Sequence, residues 1–284
     1  MGNENIDMEK SLLAYAKINL HIDVLNRLEN GYHNVRMIMQ QISLYDKIHI
    51  SVNEGNSISV FCEGIESSHN IVTKAVQKLL DATRKKMAVC IHIEKNIPVA
   101  AGLGGGSSDA ASVLKGLNEF LGFNLGNDAL EQIGLELGAD VPFFIRGGTA
   151  LAEGIGEKLH SLPTCQDVCY LLINPGFEVS TAWVYGNLRL TSKRDNATLS
   201  RYKGTYQDVL DNLHNDLEDV VLARFPVLKS IKKELLMAGA DGALMSGSGP
   251  TVFGVFRDQE KAVRARRRFE NTPWRVFLAK PETG

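Results

Sequence analysis

The chain has 284 residues, is 44% hydrophobic and 23% charged, and carries a formal net charge of −2. That is the composition of an ordinary soluble globular protein with a sizeable core, and its near-neutral balance speaks against nucleic acid as the main partner. Four cysteines without a C-x-x-C pair exclude a disulfide framework or a cysteine zinc site, and no apolar run approaches the ~18 residues of a membrane span.

At roughly 150 residues per domain, two domains are expected. The first ten residues, MGNENIDMEK, are polar and have no apolar core of a leader peptide. Free thiols and no leader or span fit a cytoplasmic protein. KINLHIDV, residues 17–24, alternates strictly and predicts a strand with one buried face: Ile18, Leu20, Ile22 and Val24 point one way, Lys17, Asn19, His21 and Asp23 the other. Strands follow at Lys47–Val52 and Ile58–Cys62, with turn residues Glu54–Ser57 between them. Ile71–Leu80 has helical spacing and Ala88–Ile93 alternates as a strand.

PVAAGLGGGSSDAA, residues 98–111, then packs four glycines into five positions ahead of a helix read from Ser108 onward. A helix at Asp128–Leu137 stops at Gly138, and Val141–Ile145 reads as a short buried strand. The pattern restarts after Gly154-Ile155-Gly156. Val168–Ile173 is a strand, and Thr181–Leu188, Tyr206–Leu213 and Pro226–Ala238 are helices. Strand Ala243–Ser246, a second glycine turn, strands Thr251–Arg257 and Trp274–Ala279 and helix Gln259–Phe269 complete the chain. The class is α+β in two parts, residues 1–160 and 161–284.

The glycine loop carries the functional signal. The first N–H groups of a helix have no internal partner and bear partial positive charge, so a bare loop leading into one can surround an anion, most often phosphate. Ser107 and Ser108 can cap the helix or reach phosphate oxygens or a metal. A tight turn needing φ > 0 is the plain alternative, but one or two glycines would serve that. The loop is neither G-x-x-x-x-G-K-[ST] nor G-x-G-x-x-G.

The form P-x-x-x-G-L-G-G-G-S-S resembles the central motif of the GHMP kinases. AYAKINLHIDVL (14–25), NGYHNV (30–35), LGADVPFFIRGGTALAEGIGEKL (137–159) and MSGSGPTVFGVF (245–256) are similar to the branch that phosphorylates diphosphocytidyl-methylerythritol. The resemblance covers nearly the whole chain; Asn34 stands where the branch usually has an acid. It implies an N-terminal ribosomal-protein-like domain, a C-terminal ferredoxin-like α/β sandwich, and an active site in the cleft between them. The reaction implied moves the γ-phosphoryl group of ATP to the 2-hydroxyl of the substrate, in the non-mevalonate route to isopentenyl diphosphate.

The same resemblance assigns roles. Asp140 becomes the base and Lys17 the cation beside the reacting hydroxyl; by spacing alone they read as a turn aspartate and a strand lysine. Two unit charges about 4 Å apart at an effective dielectric of about 20 interact by about 4 kcal/mol, enough for Lys17 to favour an alkoxide. Asn19 orients the hydroxyl or Lys17, while Tyr32 and His33 hold the cytosine by stacking and edge hydrogen bonds. Pro98, Val99, Ala100, Ala101, Gly102, Leu103, Gly104, Gly105, Gly106, Ser107 and Ser108, with Lys95, hold ATP. Asp109 either turns away from the phosphates or helps hold a hydrated Mg²⁺. No histidine pair has metal-ligand spacing, so no resident metal is expected. The partners implied are ATP, Mg²⁺ and the small-molecule substrate, without nucleic acid or membrane, for a monomer or weak homodimer. Other GHMP kinases, acting on homoserine or phosphomevalonate, and a nucleic-acid-binding module stay open as alternatives.

Overall fold

The computed structural model describes residues 8–64, 70–189 and 202–283. The N-terminal residues on which the leader expectation mostly falls lie outside that set. The chain divides into two compact units that interleave along the sequence. The first is Met1–Ala16, Tyr45–Ile97 and Gly105–Arg146; the second is Lys17–Leu44, Pro98–Gly104 and Gly147–Gly284.

Two long strands, β1 (Met8–Arg27) and β2 (His33–Asn53), contribute to both units. Within the first unit the end of β2 pairs antiparallel with β4 (Ala88–Glu94), and β4 pairs parallel with β3 (Ile58–Cys62). The register sets Ile48 opposite Ile93, Ile50 opposite Ile91 and Val60 opposite Ile91, so one face is a continuous apolar surface. Helices α1 (Ile71–Thr83), α2 (Gly105–Phe120), α3 (Asn127–Leu135) and α4 (Val141–Arg146) pack on one another in this unit. Asn70 caps α1 by accepting the Val72 N–H. Ala110, Ala111, Val113, Leu114 and Leu117 form the buried stripe of α2.

The second unit holds β5 (Thr149–Gly154) and β6 (Lys158–Leu162), an antiparallel hairpin extending from the start of β2. The short β8 (His214–Asn215) pairs parallel with β1. A second sheet has the antiparallel order β11-β7-β10-β9, from β7 (Cys169–Asn174), β9 (Gly242–Met245), β10 (Val252–Phe256) and β11 (Arg275–Ala279). Helix α8 (Val227–Met237) packs on β9 and β10, and α9 (Gln259–Arg266) on β7 and β11. That strand order is the ferredoxin-like sandwich, and the class is α+β. Shorter helices α5 (Thr181–Asn187), α6 (Tyr206–Asp211) and α7 (Glu218–Arg224) fill the connections.

The structure corrects several sequence expectations. Residues 141–146 are helical, not a strand; five apolar residues are too few to show a period, and Pro142 suits a helix's first turn. Helix α2 begins at Gly105, so Ser107 and Ser108 lie inside its first turn instead of capping it. α3 ends before Gly138, whose N–H still bonds the Gly134 carbonyl. The polar face of residues 17–23 is buried like the apolar one: Lys17, Asn19, His21 and Asp23 are each under 10% exposed. The hairpin β5–β6, with β8 and α7, was not anticipated. All four cysteines are free thiols.

Candidate active site

In the second unit, the glycine loop is held by two neighbours. The Leu103 carbonyl accepts the Lys17 N–H at 3.0 Å, which ties the loop to β1. The Ala101 carbonyl accepts the Thr251 N–H, and the Gly102 carbonyl accepts the Ser246 hydroxyl at 2.8 Å, which ties it to the second glycine turn. Gly102 has φ +76°, and a Cβ there would stand 2.1 Å from the Ser246 carbonyl oxygen. Only glycine allows that approach. Gly104 also needs a positive φ, +70°. Gly106 needs neither: its φ is ordinary and it is exposed. Two of the four glycines therefore shape the loop, and Gly106 leaves the helix start bare. Pro98, Ala101 and Leu103 are buried anchors, whereas Val99 and Ala100 face outward.

Lys17 is buried, and its Nζ donates to Asn19 Oδ1 at 2.5 Å. Asn19 is in turn fixed, its N–H donating to Ser246 Oγ at 3.2 Å. Asn215 donates through Nδ2 to the Met245 and Gly247 carbonyls, 2.8 Å each, and braces the turn from below. Lys17, Asn19, the loop and the second glycine turn are thus one hydrogen-bonded assembly. Loss of any tie would leave a buried polar group without its partner.

His33 starts β2 in the same unit and Tyr32 immediately precedes it. Tyr32 is 59% exposed, with its N–H held by Asn30 Oδ1. The His33 ring lies 5.0 Å from the Tyr185 ring at an interplanar angle of 31°. Burial, and then the charge of Arg27, hold the His33 imidazole below its ordinary range, so the ring is neutral at neutral pH. Tyr185, on α5, was not singled out in the sequence; an aromatic residue in a helix reads as core until the fold brings it to His33.

In the first unit, Lys95 is held between two carboxylates. Its Nζ is 2.5 Å from Asp46 Oδ2 and 2.7 Å from Asp109 Oδ2. Asp46 Oδ1 also accepts the Asn96 and Ile97 N–H groups. Two acids sharing one ammonium leave an unbalanced charge. Burial pushes Asp109 up to about 7, against the pull of Lys95 and with the added push of Asp46. Asp109 therefore faces Lys95. This triad sits under the start of α2, where a Cβ on Gly105 would be 3.3 Å from Lys95 Nζ. The Ser108 hydroxyl donates to the Tyr15 carbonyl at 2.6 Å. Asp140 lies half-buried in this unit, immediately before α4, with its carbonyl accepting the Phe144 N–H at 3.4 Å.

Residues 70–148 match the family described as GHMP kinases N terminal domain, and residues 196–275 match GHMP kinases C terminal. The chain is 53% identical to a 4-diphosphocytidyl-2-C-methyl-D-erythritol kinase of Syntrophotalea carbinolica over 96% of this chain and 99% of that one. It is 49% identical to the protein of that name from Geobacter sulfurreducens, over 93% and 96%. Among solved structures, a 4-(cytidine 5'-diphospho)-2C-methyl-D-erythritol kinase superposes with a TM-score of 0.82 at 31% identity, over 98% of this chain and 100% of the other. A homoserine kinase from Cytophaga hutchinsonii, at 16% identity and a TM-score of 0.77 over 100% and 98% of the two chains, shares the fold.

Proposed function

The chain belongs to the GHMP kinases, and within them to the 4-diphosphocytidyl-2-C-methyl-D-erythritol kinases; from that premise we propose how its residues divide the work of moving the γ-phosphoryl group of ATP to the substrate's 2-hydroxyl. The product is the 2-phosphate, an intermediate of the non-mevalonate route to isopentenyl diphosphate. The observation that carries the assignment is the buried Lys17–Asn19 pair tied to Leu103 of the glycine loop.

Amides of residues 102–108 bind the triphosphate, where the partial charge of the α2 start adds to their dipoles. Lys95, committed to its two acids, supports that helix start instead of reaching outward. With Asp109 facing Lys95, Ser107 is the side chain that would reach a Mg²⁺ bound with ATP, which would supply charge to offset the phosphates. Asp140 takes the hydroxyl proton as the oxygen attacks the γ-phosphorus and the bond from that phosphorus to the β,γ-bridging oxygen breaks, releasing ADP. Lys17 lowers the energy of the developing alkoxide, and Asn19 holds the lysine in place. Tyr32 and neutral His33, with Tyr185 beside it, receive the cytosine ring. We assign the enzyme to the cytoplasm as a monomer or weak homodimer. No helix among the described residues is long and apolar enough to cross a membrane.

Incubation with ATP, Mg²⁺ and the diphosphocytidyl substrate, followed by phosphorus NMR, tests this reading. A new phosphate monoester resonance is expected with this substrate, none with homoserine, and no new acceptor diphosphate resonances with phosphomevalonate. Asp140→Asn and Lys17→Met are expected to lower kcat by about 10²–10⁴-fold while nucleotide affinity stays nearly constant. Full turnover by both variants would remove these roles.

A further inference from the structure

Strand β1, and β8 with the residue that follows it, carry the same three-residue pattern, His-x-Asp: His21-Ile22-Asp23 and His214-Asn215-Asp216. They pair in parallel with His21 opposite His214 and Ile22 opposite Asn215. Alternation along each strand then puts both histidines and both aspartates on one face. The donors converge. His214 Nε2 is 2.8 Å from Asp216 Oδ1 and 3.8 Å from Asp23 Oδ1, and His21 Nε2 is 3.0 Å from Asp23 Oδ2. One ligand atom from each of Asp23, His214 and Asp216 lies within 4.8 Å of the others.

A second observation concerns the orientation of these groups. His21 Nδ1 is 3.0 Å from the Asn212 carbonyl, which can only accept, so Nδ1 carries the proton. His21 Nε2 is shut off from solvent, has no hydrogen bond of acceptable geometry, and lies 3.0 Å from Asp23 Oδ2; His21 as a residue is 9% exposed. A cation beside these atoms would give that nitrogen a partner. The outer contacts fit as well. A metal-bound imidazole usually donates its other N–H to a carbonyl, and a metal-bound carboxylate is usually held by an N–H. Asn212 supplies the first to His21, and the Val24 N–H supplies the second to Asp216 Oδ2 at 2.8 Å.

We propose that Asp23, His214 and Asp216 form a binding site for a divalent first-row transition metal such as Zn²⁺, with His21 next to Asp23 at its edge. Imidazole nitrogen together with carboxylates is a donor set for such ions and a poor one for Mg²⁺ or Ca²⁺, which prefer oxygen alone. The cation clamps β8 to β1. Because Asn215 lies between two ligands and holds the Met245 and Gly247 carbonyls, the clamp also steadies the second glycine turn. The site is separate in chemistry from the Mg²⁺ that accompanies ATP, so it stands or falls apart from the catalytic roles assigned above.

Chelator-treated full-length protein titrated with Co²⁺ provides the test. The expected result is visible ligand-field bands saturating at one equivalent, with no near-ultraviolet thiolate charge-transfer band, since the four cysteines take no part. Zn²⁺ should displace the cobalt and raise the thermal unfolding midpoint. His214→Gln and, separately, Asp23→Asn should weaken cobalt affinity by more than about tenfold. Absence of ligand-field bands from the unaltered protein overturns the proposal without reference to any variant. So does a thiolate band, or unchanged affinity in folded His214→Gln.

Discussion

Asp109 sits between two demands. An acid just past the first turn of α2 still lies toward the favourable end of the helix dipole, yet the phosphates of a nucleotide would be repelled by it. The fold resolves this by turning its Oδ2 onto Lys95, 2.7 Å away, while Asp46 takes the other side of the same ammonium. With burial raising Asp109 to about 7, the folded chain keeps a proton that the unfolded chain releases near the ordinary value of 3.8. Between those values the native state binds more protons, so stability contributed by this group is full at the acid end and is lost as pH rises through about 7. Urea unfolding across that range should show it. Asp109→Asn should remove up to ~1.4 kcal/mol per pH unit of slope relative to the unaltered protein. Parallel curves for the two proteins would show that Asp109 does not titrate there. Lys95 and Asp109 are both visible in the sequence near the glycine loop. Asp46 is not, because a contact 49 residues away leaves no local pattern.

At the scale of elements, the glycine run has two tasks, which the sequence alone merges into one. Gly102 is required by its backbone and by its neighbour, the Ser246 carbonyl, whereas a Cβ on Gly106 would meet only the Ile71 side chain, at an ordinary contact distance of 3.7 Å. Gly102→Ala is therefore expected to cost roughly 3 kcal/mol, from left-handed backbone strain plus a clash with main chain that cannot swing aside. Gly106→Ala should leave stability nearly unchanged and instead raise KM for ATP. Thermal unfolding and steady-state kinetics on both variants separate the tasks; equal destabilisation by the two would contradict the division. The misreading of residues 141–146 has a similar origin. A short apolar run has no period, and packing against α2 and α3 makes it helical. For β1 the alternation is legible and the strand is real. Burial of its second face is not legible, since Ser246, Asn212 and Asp216, which partner the polar side chains or adjoining main chain, lie some 190 to 230 residues away.

For the molecule as a whole, the near-neutral charge and the family assignment agree in leaving nucleic acid aside. Filter binding with a structured RNA should detect no salt-sensitive complex at about 50 mM salt, a condition that favours charge-driven association. Retention of RNA that weakens steeply with added salt would reopen that alternative. Local patterning by itself determined the α+β class, most element positions, the glycine loop and the motif set that marks the family, because periodicity, turn chemistry and contiguous motifs are properties of neighbouring residues. Tertiary structure alone decided that the compact units interleave, that the two glycine turns brace each other, that Lys95 is shared by two acids and that two His-x-Asp segments face one another in register. Each of these is a pairing between groups far apart along the chain, brought together by burial of apolar surface that no single segment can complete.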